Sequence, residues 1–335
     1  MALESREIGA LLYRSAGLGS TRRRAERLAC ALERFLLASP AMTSGPIDKV
    51  TMKLVAATPA RFRSAVHPAT SRFVERWSPY RYYLNRRAEV FMLWFPKCGG
   101  TWAKLQLHTA LTKHYGVLNA PPLELELLKD FDARIPRIRP VHDDAPHWKR
   151  PDQLRLHKDR YAGRKVLLLV RDPRDAIVSL HLQVTRRWKV DPDMSLDDFI
   201  WNPRGSFRTM IAYYNIWAKN RHVPSELMLM RYEDMRADPA AAVRKMIDFV
   251  GVPEVTDAVI QEAVDYNRIE ALRKREGEGQ YDTRRLQPGD KNDPDSFKAR
   301  KGKVGGFRDV IRPEDVERMT RIIEEELDPW YRYPI

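Results

Sequence analysis

Apolar residues fall along the chain in two kinds of run. Residues 90–95, 165–170 and 227–231 form short, nearly unbroken stretches of strand formers, too short for helices, which predicts strands, the 165–170 run being apolar on both faces as in the centre of a covered sheet. Between and after them the spacing changes to every third or fourth position. From Thr101, the residues Trp102, Leu105 and Leu111 share a helical face that Gly116 ends. Asp238 and Pro239 open a helix through Val243, Met246, Ile247 and Val250 that stops at Gly251. Pro313, Glu314 and Asp315 start a last one carrying Val316, Met319, Ile323 and Leu327. Strands alternating with helices predict an α/β domain: a doubly wound, mostly parallel sheet with helices on both faces.

The first 88 residues follow neither pattern strongly. Ile8, Leu11 and Leu12, then Leu28, Leu32, Phe35 and Leu36, stand at helical spacing, with Arg22, Arg23, Arg24 and Arg27 between the groups. They read as two short amphipathic helices that either contact an anionic membrane or partner, or pack on the main domain with a solvated basic face. Residues 39–79 hold five prolines and little periodicity, as a surface linker would. The expected division is a basic helical extension and linker over 1–79 and one domain over 80–335.

Irregular stretches lie between the elements. Residues 136–148 read P-R-I-R-P-V-H-D-D-A-P-H-W; three prolines leave no room for a helix and put His142 just past a short strand. The stretch 188–217 is rich in aromatics, and 277–295 is polar with Gly, Pro and charges of both signs, which predicts a mobile loop.

Composition narrows the partners. Of 335 residues 43% are hydrophobic, enough for a sizeable core, and the net charge of +14 asks for an anionic partner such as a nucleotide, membrane surface, acidic glycan or nucleic acid. No recognition helix or aromatic platform of the known kinds argues for specific nucleic-acid binding. Cys30 and Cys98 are the only cysteines, so a disulfide framework and a Cys-rich metal site are excluded, which suits a reducing cytoplasm. No apolar run approaches a membrane span, and a soluble cytoplasmic protein is expected.

The chemistry concentrates at strand ends. After the run 90–95 come Lys97, Gly99 and Gly100, directly before a helix, where backbone N–H groups and the helix dipole favour an anion. A Walker A loop is excluded, because its lysine follows the glycines and Lys97 precedes them. Arg171 ends the strand 165–170, with Asp172 as helix cap and Pro173 at the first helical position.

The run P-K-C-G-G-T-W over 96–102 resembles the 5′-phosphosulfate loop of sulfotransferases that use 3′-phosphoadenosine 5′-phosphosulfate (PAPS), usually P-K-[SA]-G-[TG]-T-W; Cys98 stands where Ser is commoner. Three further segments resemble the same family in the same order: Arg171 with Ser179 eight residues on, R-Y-E-D-M over 231–235, and R-K-G-K-V-G-G-F over 300–307. The resemblance spans 80–335. It implies that Lys97, Cys98, Gly99, Gly100, Thr101 and Trp102 hold the phosphosulfate. Arg171, Ser179, Arg300, Lys301 and Gly302 would hold the 3′-phosphate, and Tyr232 would lie near the adenine. The family's general base is a His in the region of His142, often in K-T-H, where the lysine position is Pro140 here and Arg139 is the nearest cation; His147 remains an alternative. The implied reaction moves a sulfuryl group from PAPS to a hydroxyl or amine of a small-molecule, lipid or carbohydrate acceptor, with Lys97 stabilising the leaving group and no metal. A nucleotide or small-molecule kinase is the second reading.

Overall fold

Every residue of β1 (Val90–Trp94) is buried. Successive side chains of a strand point to opposite faces, so such a strand needs a sheet covered on both sides. The computed structural model, which describes residues 85–117, 119–281, 283–300 and 302–333, shows how the cover is built. β1 lies between β2 (Ile138–Val141) and β3 (Lys165–Val170), and β3 pairs on its far edge with β4 (Glu226–Arg231), giving the order β2-β1-β3-β4. All three pairings are parallel, with Leu93 beside Val141 of β2 and Leu168 of β3.

The longer helices are α1 (Gly100–Tyr115), α2 (Pro173–Leu182), α3 (Phe207–Lys219), α4 (Pro239–Val250), α5 (Asp257–Tyr266), α6 (Ile269–Gly277) and α7 (Pro313–Glu326). The alternation of β1 sorts two of them. Phe91 meets Tyr161 edge-on at 4.9 Å, Tyr161 packs on Trp217 at 5.2 Å, and Phe95 meets Tyr213 at 5.8 Å, so this face carries α3. Trp94, on the opposite face, lies against Gly100 at the start of α1. α1 packs with α4 and α5, and α2 with α3, which completes a doubly wound α/β domain.

Helix signals in the sequence act as expected: the Asp172 carboxylate accepts the Arg174 N–H at 2.9 Å with Pro173 at the first position, and α1 and α4 stop at Gly116 and Gly251. The aromatic stretch resolves into a short helix, Leu196–Trp201, and the first part of α3 with turns between, and α5 and α6 are elements that the spacing did not separate. At the end of α2 the chain widens into a π-helical turn, Gln183–Arg187, where the Trp188 N–H reaches back to Gln183 O at 2.8 Å. The polar segment 277–295 is irregular, as its composition predicts, yet it is tied down: the Arg187 guanidinium donates to the carbonyls of Arg285, Gln287 and Ser296 at 3.1, 2.6 and 3.3 Å. A division of the chain falls after Arg86, and the described residues from Arg87 onward form one compact unit. The extension and linker expected over 1–79, and Lys301, lie outside the described residues.

Candidate active site

At the carboxyl end of the sheet, where open parallel sheets bind ligands, a cleft of about 460 Å³ opens. Its floor is the turn from β1 into α1. Lys97 and Gly99 both take left-handed backbone, φ 76° and 84°. The two glycines are also demanded by close approach: a Cβ on Gly99 would sit 2.6 Å from Tyr232 Cδ2, and one on Gly100 would sit 2.2 Å from the Trp94 indole. This packing leaves the N–H groups of Gly99, Gly100 and Thr101 without an acceptor among the described residues, at the positive end of α1. Lys97 Nζ donates to Gln183 Oε1 at 2.8 Å. Burial holds that ammonium well below its ordinary pKa, and Lys298, Arg187, Arg300 and Arg171 push it the same way.

The other loop residues divide. Thr101 and Trp102 line the cleft; the Trp102 indole donates to Asn267 O at 2.8 Å and meets Tyr232 edge-on at 6.0 Å. Cys98 turns the other way. Its thiol is fully buried 3.3 Å from the Tyr214 hydroxyl, its N–H is spent on Phe95 O, and burial pushes its pKa up to about 12. The structure therefore places Cys98 behind the loop rather than on the cleft wall.

Arg171, at the end of β3, is held from several sides. Its N–H donates to the Tyr214 hydroxyl at 2.9 Å, which returns a bond to Arg171 O at 3.0 Å. The guanidinium lies over the Tyr232 ring at 4.3 Å, with Asp175 at 3.7 Å and the carbonyls of Lys97 and Lys303 at 3.4 and 3.2 Å. Its Nε is buried without a partner among the described residues. Ser179, two turns into α2, lines the same cleft, as do Tyr232, Arg300 and Gly302. Asp175 accepts the N–H groups of Gly305 and Phe307 at 2.8 and 3.0 Å and so pins the segment after Gly302 over Arg171. The structure brings Lys97, Gly99, Gly100, Thr101, Trp102, Arg171, Ser179, Tyr232, Arg300 and Gly302 to one cleft.

His142 enters from the end of β2. Its Nδ1 lies 3.2 Å from Trp94 O, its ring packs edge-on to Trp94 at 4.9 Å, and His147 follows at 5.7 Å. Burial lowers the His142 pKa to about 4; the Trp94 carbonyl opposes this, while Lys298, Lys104 and Arg285 add to it. The two aspartates that follow are structural: Asp143 is buried against Lys158 and the Tyr161 hydroxyl, both at 2.7 Å, and Asp144 pairs with Lys149. Among the described residues no group of three His, Cys, Asp or Glu is arranged to hold a metal.

Four contributors went unread in the sequence: Asp175, Gln183, Glu276 and Lys298. A signal existed for the first two, because 171, 175, 179 and 183 stand at helical four-residue spacing and all line the cleft. Glu276 and Lys298 meet only across a fold-back. The Glu276 carboxylate accepts the N–H groups of Lys298 and Ala299 at 2.5 and 2.9 Å and pairs with Arg187 at 3.1 Å.

Such a cleft, with free helix N–H groups and converging cations at the end of a parallel sheet, defines a P-loop-like anion-binding α/β protein. Comparisons with known proteins carry this further. Residues 87–330 match the sulfotransferase domain family. Among relatives, cytosolic sulfotransferase 13 of Arabidopsis thaliana is 25% identical over 74% of this chain and 79% of its own. The amine sulfotransferase of Oryctolagus cuniculus is 24% identical over 72% and 81%. The fold resembles the crystal structure of retinol dehydratase in complex with androsterone and inactive cofactor PAP, with a TM-score of 0.52 and 16% identity over 73% of this chain and 82% of that one. The chain belongs to the sulfotransferase domain family and is a PAPS-dependent sulfotransferase. This sets aside the kinase reading.

Proposed function

We propose that Lys97 and His142 are the catalytic pair of this sulfotransferase, and that its acceptor is a small, largely apolar molecule carrying a hydroxyl or amine. One observation carries the reading: ammonium and guanidinium groups, free N–H donors and a histidine whose ring is held by the Trp94 carbonyl line the same cleft. A wall of half-buried cations that depress one another is unfavourable when empty and is relieved by a strongly anionic ligand.

In the proposed reaction the acceptor oxygen or nitrogen forms a bond to sulfur as the bond from sulfur to the 5′-phosphate oxygen breaks. The electron pair leaves on that oxygen, giving 3′-phosphoadenosine 5′-phosphate (PAP), and the acceptor's proton passes to His142 Nε2. Lys97 and the first-turn N–H groups meet the charge that grows on the leaving phosphate. His142 takes that proton as a neutral, oriented ring. Arg171, Ser179, Arg300, Gly302 and Lys301 would hold the 3′-phosphate, with Tyr232 at the adenine. Cys98 supports the loop from behind.

The acceptor end is walled by Trp94, His147 and Trp188, and Trp188 stacks on Trp148 at 5.8 Å. Flat apolar walls favour a ring-bearing small molecule over an extended carbohydrate. Relatives named for an amine and for a flavonol (from Flaveria bidentis) act at the same scale. No helix among the described residues is long and apolar enough to cross a membrane. By analogy with the cytosolic sulfotransferases it resembles, we place the reaction in the cytoplasm. The basic segment 1–79 is proposed as dispensable for donor binding. An acceptor screen with labelled PAPS against phenols, amines, hydroxylated lipids and carbohydrates tests the reading. Label transfer to ring-bearing small molecules is expected, and transfer confined to carbohydrates would contradict it.

A further inference from the structure

Resting on the sulfuryl-transfer reading, we propose that Lys298 is a further catalytic residue, whose ammonium holds the sulfuryl oxygens between Lys97 and His142. Nothing in its sequence context marks it; the placement comes from the folded loop. Lys298 lines the same cleft as Lys97 and His142. Among charged neighbours it weighs most on the pKa of each, as a cation close to both would.

The second observation is that, among the described residues, this ammonium alone of the converging cations lacks a partner. Each other cation that converges here is engaged: Lys97 on Gln183, Arg171 on Asp175, Arg187 on Glu276, Arg300 on Asp295, and Lys104 on Leu123 O. Lys298 Nζ has neither a hydrogen bond nor an ion pair among the described residues, although the backbone on which it stands is clamped by Glu276 at 2.5 Å. A half-buried, unpaired ammonium on a held backbone is costly unless a ligand supplies the opposite charge. Burial, with Arg187 and Lys104, lowers its pKa to about 7, a shift that an anion in the cleft would reverse.

The third observation concerns the strand that delivers the base. In β2, Arg139 is paired with Glu126 and lies off the cleft wall, and Pro140 carries no charge. The strand that carries His142 thus brings no free cation to the point of transfer, and the ammonium comes instead on the segment between α6 and α7.

In the step itself the new bond to sulfur forms as the bond to the 5′-phosphate oxygen breaks. The electron pair leaves on PAP, and the proton goes to His142. The sulfuryl oxygens carry negative charge throughout, and Lys298 would orient them while Lys97 meets the leaving oxygen. PAP keeps the leaving phosphate but has no sulfuryl group. Lys298→Met should therefore lower kcat by about 10²-fold, the scale of one preorganised donor lost, while PAP affinity measured by calorimetry stays within about threefold of the unmutated protein, since the sulfuryl contact is absent from PAP. Lys298→Arg, which keeps the charge, should recover at least about a tenth of the lost rate. Retained PAP binding shows in the same experiment that each variant is folded. Turnover of Lys298→Met within about twofold of the unmutated protein would overturn the proposal. So would a fall in PAP affinity parallel to the fall in kcat, which would put Lys298 on the nucleotide, or an Arg variant no faster than the Met variant. Failure of the unmutated protein to bind PAP would instead overturn the underlying reading.

Discussion

His142 Nδ1 stands 3.2 Å from the carbonyl oxygen of Trp94. A carbonyl only accepts, so Nδ1 carries the hydrogen and Nε2 is left with its lone pair. With the pKa lowered to about 4 by burial and by nearby cations, the ring is neutral at physiological pH, and an anionic donor that offsets those cations would raise its basicity. His142→Ala should lower kcat by about 10²- to 10⁴-fold with PAP affinity little changed. His147→Ala should cost far less. The reverse ranking of the two variants would move the base to His147.

Lys97 gives a pH dependence with a definite sign. Burial and four neighbouring cations hold its pKa well below the ordinary 10.5 in the empty cleft. A bound phosphate favours the charged form and raises the pKa again, so PAP binding takes up a proton wherever the empty site has lost it. PAP affinity should then fall as pH rises through the depressed value, and calorimetry in buffers of different ionisation enthalpy should register uptake that Lys97→Met reduces. Proton release on binding would show the sign to be wrong.

The turn from β1 into α1 depends on Gly100 having no side chain. Its Cβ would meet the Trp94 indole at 2.2 Å, too close for a small adjustment. Gly100→Ala should cost about 1–3 kcal/mol, as overpacking does, and weaken PAP binding as the N–H groups shift. Adding Trp94→Leu should return the stability. A Gly100→Ala protein with unchanged melting temperature and PAP affinity would refute this packing.

Cys98 leads to an expectation opposite to the one the motif gives. A serine is commoner at this position, so Cys98→Ser would be expected to gain a donor to the phosphosulfate. The thiol instead faces the Tyr214 hydroxyl behind the loop. Cys98→Ser should leave PAPS affinity within about twofold, since its hydroxyl would bond Tyr214. A tenfold gain would show that residue 98 faces the cleft.

Much of this was legible in the chain because the signals are local. Unbroken apolar runs gave β1, β3 and β4, and Asp172 with Pro173 gave the start of α2 within a residue. The cleft-lining residues of the phosphosulfate and 3′-phosphate motifs could be placed because strand ends and helix starts bring them to one end of a parallel sheet. What stayed hidden depends on contacts between distant segments. The direction of Cys98 is set by Tyr214, 116 residues away, and the segment 298–300 is held by Glu276, on a helix that its own spacing did not reveal. The polar stretch 277–295 looked mobile because composition reports exposure and says nothing of Arg187, which reaches it from the π-helical turn.

The central claim is that the cleft is built for a nucleotide with a 3′-phosphate, and Arg171 tests it most directly. Its buried Nε has no partner among the described residues, and its guanidinium lies over Tyr232. Charge-assisted contacts are worth roughly 1.5–3 kcal/mol each, so removing the whole 3′-phosphate should cost several. Calorimetry should show PAP binding at least about a hundredfold more tightly than adenosine 5′-monophosphate. Arg171→Ala should narrow that gap from the PAP side alone and leave the weak monophosphate affinity nearly unchanged. Equal affinities for the two nucleotides in the unmutated protein would contradict the account.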